Sequence, residues 1–242
     1  MKDTELSRIE KVTRSASLVT LAVFISRILG LVREQVFAYL FGAGKAMDAF
    51  VVAYRIPNLL RDLFAEGALA GAFVKVFTAT TEKEGLESAF QKASIILSNI
   101  ILILTLIISI GFILAPHIVS LIAPGFKEDP SKVSLTVSLT RLMMPFLFFI
   151  SLSAIFAGLL NSLGVFFLPA LSSGFFNLSS ILIGLFGYYL LSKTSYEPIY
   201  AMALGVTLGG LLQALMQYPL LKKKVFTLNS KQIFSLKNFM KY

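Results

Sequence analysis

The sequence predicts an all-α, polytopic membrane protein with six transmembrane helices. Three observations carry that reading. Hydrophobic residues make up 56% of the 242-residue chain and charged residues only 14%, whereas soluble domains carry about 25% charge. Mean hydropathy is +0.80. The apolar residues are gathered into runs of the length that crosses a bilayer, about 20 residues at 1.5 Å rise each.

The first 15 residues, MKDTELSRIEKVTRS, are polar and mixed in charge. The apolar run that follows is longer than the centre of a cleavable signal and lacks its small-residue end, so residues 1–15 read as a retained cytoplasmic segment. The first span is about 16–41, ending in the turn GAGK. The second, about 48–80, is interrupted by Pro57, whose missing N–H is expected to kink it beside Arg55. The third, about 91–123, follows the KEG turn and ends at PGFKEDPSK. The fourth is about 132–162, the fifth about 168–192 and the sixth about 197–221, the last two separated by SKTSYEP. The tail 222–242 mixes lysines with bulky apolar residues, as a segment on the inner membrane surface or a linker would. Gly67–Gly71 and Gly205–Gly209 have the small-xxx-small spacing that lets membrane helices approach closely.

Loop charge orients the chain. Lys2, Arg8, Lys11, Arg14, Lys83, Lys92 and the tail lysines fall on one side, against Lys45, Lys127, Lys132 and Lys193 on the other. The positive-inside rule places the N-terminus in the cytoplasm. It also accounts for the net charge of +9 without invoking nucleic acid. With no cysteine and the single histidine His117 at a span boundary, neither a thiolate metal site nor a Cys/His nucleophile is expected.

The chemistry lies in the first two spans. A charge at the centre of a membrane helix costs about 2.5–3.5 kcal/mol on insertion scales, yet FISRILGLVREQVF, residues 24–37, carries Arg27, Arg33 and Glu34. Arg27 is about eleven residues into its span, too deep to reach either surface easily. Arg33 is about 120° further around the axis, so both can line only a wide cavity. The second span adds Asp48, Arg55, Arg61, Asp62, Glu66 and Lys75. Interhelical salt bridges would account for some of these, but Arg27, Arg33 and Arg61 outnumber the acids within reach. The planar guanidinium fork suits phosphate oxygens, and two or three such forks converging would match a diphosphate. Arg141 is the one charged residue expected inside spans three to six.

The stretch SRILGLVREQVFAYLFGAGKAMDAFVVAYRIPNLLRDLFAEGALAGAFVKVF, with APGF at 123–126 and LLNSLGVFFLPAL at 159–171, resembles the N-terminal signature of the MurJ/MviN family of lipid II flippases. These belong to the multidrug/oligosaccharidyl-lipid/polysaccharide exporter superfamily. The resemblance implies that residues 16–221 form one lobe of a two-lobe transporter and that 222–242 lead toward a missing C-terminal lobe. The implied activity is translocation of lipid II, an undecaprenyl-diphosphate-linked disaccharide-pentapeptide, across the bacterial inner membrane by alternating access. By the same resemblance Arg27, Arg33 and Arg61 bind substrate, and Glu34, Asp48 and Glu66 belong to gating. Asp62 stands where relatives often carry a basic residue, so it takes no implied role. The partners implied are lipid II and membrane lipids; no cofactor, metal or catalytic residue is expected. Two other readings compete. One is transport of another polyprenyl-diphosphate saccharide or of drugs, the latter disfavoured by a cationic cavity. The other is an enzyme acting on lipid phosphate, for which Asp62 with Glu66 is the lone acid pair.

Overall fold

A computed structural model of the chain describes the backbone of residues 2–64 and 68–223, and the side chains of residues 16–62 and 71–222. The described residues form α1 (Lys2–Phe41), α2 (Lys45–Phe64), α3 (Ala68–Glu84), α4 (Leu86–Ile122), α5 (Pro130–Ser162), α6 (Phe167–Leu191) and α7 (Ile199–Lys223). A 3₁₀ turn, Pro124–Glu128, joins α4 to α5. Among the described residues, five segments are long and apolar enough to cross a membrane: Ala16–Phe41, Leu86–Ile122, Pro130–Ser162, Phe167–Leu191 and Ile199–Lys222.

The expected second span is the exception. Its described residues are α2 and α3, on either side of residues 65–67, which lie outside the described residues. Neither is long and apolar enough by itself: α2 spends its 20 residues on Lys45, Asp48, Arg55, Arg61 and Asp62, and α3 has 17 residues. Pro57 does not end the helix; it lies inside α2. A proline removes one rung of the hydrogen-bond ladder, which a membrane helix tolerates. Residues 1–15 were expected as a cytoplasmic segment; from Lys2 onward their backbone continues the helix of the first span. The expected linker 222–242 lies outside the described residues from Lys224 onward.

Two predicted turns hold for a backbone reason. Gly42 (φ 55°) ends α1 and Gly85 (φ 88°) separates α3 from α4, both in the left-handed region open to glycine. The loop before α5 is capped by its own sequence. Pro130 takes the first helical position, and the Asp129 carboxylate accepts from Ser131 N and Lys132 N, both at 3.1 Å.

The bundle is built around α5, which packs against α2, α4 and α7, while α6 joins α7 to α1. Two apolar clusters fill opposite ends. Phe37, Phe50, Met143, Phe146, Phe176 and Met202 close the end where α1 passes to α2. Phe73, Phe77, Leu97, Leu104, Phe156 and Leu160 fill the α3–α4–α5 side toward the other end. The expected small-residue contact is found at α6–α7. A Cβ on Gly205 would stand 2.8 Å from the Ser180 carbonyl oxygen, and one on Gly209 2.7 Å from Ser180 Oγ. Ser180 Oγ also donates to Gly205 O at 3.0 Å. The other pair does not behave so: Gly67 lies outside the described residues, and a Cβ on Gly71 would meet nothing within 4 Å.

Arg141, the anomalous charge of the later spans, has a backbone partner. Pro116 lies inside α4 and leaves the carbonyl four residues earlier, that of Phe112, without its helical donor. Arg141 Nε donates to that same oxygen at 3.2 Å, and its guanidinium stands 5.3 Å from the Phe112 ring centre. An arginine from α5 thus supplies the hydrogen bond that a proline removed from α4. A double-mutant cycle checks this: Arg141→Met should destabilise the native background by about 1 kcal/mol more than the Pro116→Ala background, where a backbone N–H returns. Equal costs in both backgrounds would show that the two residues are independent.

Candidate functional site

The long central helices leave a 500 Å³ cavity walled by α1, α2, α5, α6 and α7, a volume typical of ligand sites. It lies toward the end where α5 passes to α6, and the Phe37–Phe50–Phe146 cluster closes the far side. Arg27 and Arg33 from α1 and Arg61 from α2 all line it. The helical phase that puts Arg33 on a different stripe from Arg27 is accommodated because the cavity is wide.

The three arginines are held differently. Arg27 has no hydrogen-bond or ion-pair partner among the described residues. Its helix is pinned beside it: Asn177 Nδ2 on α6 donates to the Ser26 carbonyl at 3.0 Å, and Ser26 Oγ donates to the Ala170 carbonyl at 3.3 Å. Close packing makes this possible: a Cβ on Gly174 would stand 3.0 Å from Ser26 Oγ, and one on Gly30 3.4 Å from Asn177 Nδ2. Arg33 is the most enclosed, its side chain 14% exposed. Its guanidinium stands 5.3 Å from the Phe176 ring centre. Its buried Nε has no hydrogen-bond partner. Arg61 donates to Asp62 Oδ1 at 3.1 Å.

The Glu34 carboxylate stands 3.7 Å from Arg33, too long for a hydrogen bond, and is 71% exposed. Asp62 pairs with its neighbour Arg61 while remaining 54% exposed. Two of the three arginines therefore have an acid in reach, both acids directed toward the surface, and the cationic surplus rests on Arg27 and the open hydrogens of Arg33. Glu66 lies outside the described residues.

Arg33 and Tyr54 also line a second pocket of 340 Å³ on the α1–α2 side, together with Glu34, Phe37, Met47 and Phe50. The two side chains therefore form the partition between the cavity and this pocket. Phe50 stacks on Tyr54 at 6.0 Å with 4° between the planes, and Tyr54 meets Phe146 at 6.0 Å.

Asp48 is far from the arginine cavity. It pairs with Lys132 Nζ at 2.6 Å, tying the start of α2 to the start of α5. Lys45 makes a parallel tie to Asp129 Oδ2 at 2.8 Å and to Ser131 Oγ. No motif announced this double clamp, because its members are about 84 residues apart in sequence. The Lys45 ammonium, then Ser131 and the Lys132 amide, hold the Asp129 carboxyl well below the usual carboxylate range. A lowered carboxyl pKa contributes stability that is present above the unfolded value, about 3.9, and lost as pH falls through the lower folded value. Wild type should therefore lose stability relative to Asp129→Asn as pH falls below about 4, measured by unfolding in detergent. Parallel curves for the two proteins would remove Asp129 from the clamp.

Comparison with known proteins places this geometry. A family model described as "Lipid II flippase MurJ" matches residues 37–241. A "Lipid II flippase MurJ" of Burkholderia cenocepacia is 36% identical over 209 residues, covering 86% of this chain and 40% of that protein. A "Probable lipid II flippase MurJ" of Treponema pallidum is 41% identical over 217 residues, 84% of this chain and 38% of the relative. One of Buchnera aphidicola subsp. Baizongia pistaciae is 37% identical over 213 residues, 87% and 40% respectively. A solved structure, "Lipid II flippase MurJ, inward closed conformation", superposes with TM-score 0.66 at 28% identity, over 92% of this chain and 47% of that one. The chain spans about 40% of the length of the curated relatives it matches.

Proposed function

The chain belongs to the lipid II flippase MurJ family, and on that premise we propose that it forms the arginine-bearing N-terminal lobe of a transporter that carries lipid II across the bacterial inner membrane. No bond is made or broken; the family name is that of a transporter rather than an enzyme. The observation that carries the reading is the convergence of Arg27, Arg33 and Arg61 on one cavity, with Arg27 unpaired among the described residues. An unpaired guanidinium inside a membrane bundle is costly unless water or an anion meets it, and a lipid diphosphate brings the anion on a chain that stays in the bilayer.

In this reading α2 and α3 together make the second crossing, giving six traverses with the N-terminus in the cytoplasm. The cavity then opens toward the cytoplasmic side, and the Asp48–Lys132 and Lys45–Asp129 ties lie on the outer side. Asp48 acts in gating by holding the outer ends of α2 and α5 together, and Glu34 acts by competing with substrate for Arg33. Glu66 keeps its proposed part in gating from sequence resemblance alone. A second lobe, contributed by chain beyond these residues, closes the open face of the cavity and rocks against this one.

The test is translocation of lipid II in vesicles by a protein carrying both lobes. Arg61→Ala should insert normally and move lipid II at least tenfold more slowly, the loss of one charge-assisted contact of about 1.5–3 kcal/mol. Transport at the wild-type rate would remove Arg61 from the substrate path.

A further inference from the structure

One stripe of α5 faces the arginine cavity. Phe146, Ile150, Ser153, Ala154 and Ala157 line it, at the three- and four-residue spacing of a helix face. Ser153 is the one polar side chain on that stripe, and its hydroxyl departs from the habit of the bundle. A serine or threonine inside a helix commonly gives its hydrogen to the carbonyl four residues back, as Ser98, Thr140 and Ser162 do. The other cavity serines also commit theirs to backbone: Ser26 and Ser173 donate to Ala170 O, and Ser172 donates to Pro169 O. Ser153 Oγ instead accepts, from Gln217 Nε2 on α7 at 2.7 Å. The surroundings fix the orientation of that amide. The same nitrogen stands 3.3 Å from Ser153 O and 3.2 Å from Gln213 O, two carbonyls that an amide oxygen would repel. The Ser153 hydrogen therefore has no acceptor among the described residues.

Gln217 is itself anomalous. It is fully buried, and its Oε1 has no hydrogen-bond partner. An orphaned buried acceptor costs stability, which a leucine of similar size would not. We infer that Gln217 is a positioning residue: it occupies a lone pair of Ser153 Oγ, so that the hydroxyl donates into the cavity, to a phosphoryl oxygen. The inference rests on the diphosphate reading above and adds to it a neutral donor from α5. A hydroxyl that accepts from an amide turns its own hydrogen away from that amide and is polarised into a better donor. Tyr54 also brings a hydroxyl to the cavity, but no hydrogen bond among the described residues directs it. Ser153 alone among these hydroxyls is both uncommitted and aimed.

The experiment measures binding of undecaprenyl diphosphate, in nanodiscs, to a protein carrying both lobes. Ser153→Ala should weaken binding about tenfold, the loss of one hydrogen bond to a charged group. Gln217→Leu should weaken it by a similar factor, because the released hydroxyl turns back to its own helix as the other serines do. Its unfolding midpoint should stay level or rise, since the orphaned acceptor is removed. The double variant should bind no more weakly than Ser153→Ala alone, as Gln217 acts through that hydroxyl. Wild-type affinity in either single variant overturns the inference. So does a Gln217→Leu loss that recurs in full in the Ser153→Ala background, which would make Gln217 a packing residue only. A wild-type protein that does not bind undecaprenyl diphosphate overturns the diphosphate reading itself, a result distinct from the others.

Discussion

Replacing Arg27 with alanine is expected to abolish lipid II translocation by a protein carrying both lobes, while its amount in the membrane stays near wild type. Two features make this the strongest effect among the cavity arginines. Arg33 and Arg61 each have a neighbouring carboxylate, Glu34 at 3.7 Å and Asp62 at 3.1 Å. Arg27 has none among the described residues, so its full charge is available to an anion and nothing is left uncompensated when it is removed. Loss of one charge-assisted bidentate contact costs about 1.5–3 kcal/mol, or roughly ten- to a hundredfold in affinity. Arg27→Lys should recover only part of it, since a point ammonium cannot form the two parallel bonds of the guanidinium fork. The measurement is accumulation of accessible lipid II on the far side of reconstituted vesicles, with membrane insertion scored in parallel. Wild-type transport by Arg27→Ala would mean that the cavity charge serves the fold and not the ligand.

The second large effect is on stability. Phe146→Ala should destabilise the bundle by about 3–5 kcal/mol, the usual range for truncating a buried phenylalanine. Phe146 is 1% exposed and is the largest of the fully buried side chains. It lies 5.6 Å from Phe176 and 6.0 Å from Tyr54, ring centre to ring centre, and a Cβ on Gly210 would come 2.8 Å from it. It also lines the arginine cavity. Truncation would enlarge that cavity from the closed side and free Phe176, the ring over which Arg33 is held. The variant should therefore unfold at lower denaturant or detergent stress and also bind polyprenyl diphosphate more weakly. Phe146→Leu, which keeps most of the volume, should recover most of the stability. An unfolding midpoint unchanged by Phe146→Ala would show that the ring is not a keystone of the α2–α5–α6 junction.

Much of this was legible in the sequence because the bilayer simplifies the physics. Apolar run length alone located α1, α4, α5, α6 and α7, since a membrane helix must satisfy its own backbone. The cost of charge in hydrocarbon singled out Arg27, Arg33 and Arg61 before any coordinates, and they do share one cavity. What was not legible depends on pairs distant in sequence. Arg141 read as an unexplained charge until α4 was seen to bring Phe112, robbed of its donor by Pro116, within 3.2 Å of it. The clamp at Asp48 and Lys45 joins residues about 84 positions apart.

The claim beneath all of this is that the arginine cavity is wet and receives a diphosphate. Since the chain has no cysteine, Ala157→Cys puts one thiol on the cavity wall and Ile113→Cys puts one on the exposed outer face of α4, where Ile113 is 69% exposed. In membranes, a charged, bilayer-impermeant thiol reagent should modify position 157 and leave position 113 untouched, and undecaprenyl diphosphate should protect position 157. A thiol at 157 as inert as the one at 113, or one that reacts at the same rate with and without the lipid diphosphate, would contradict the account.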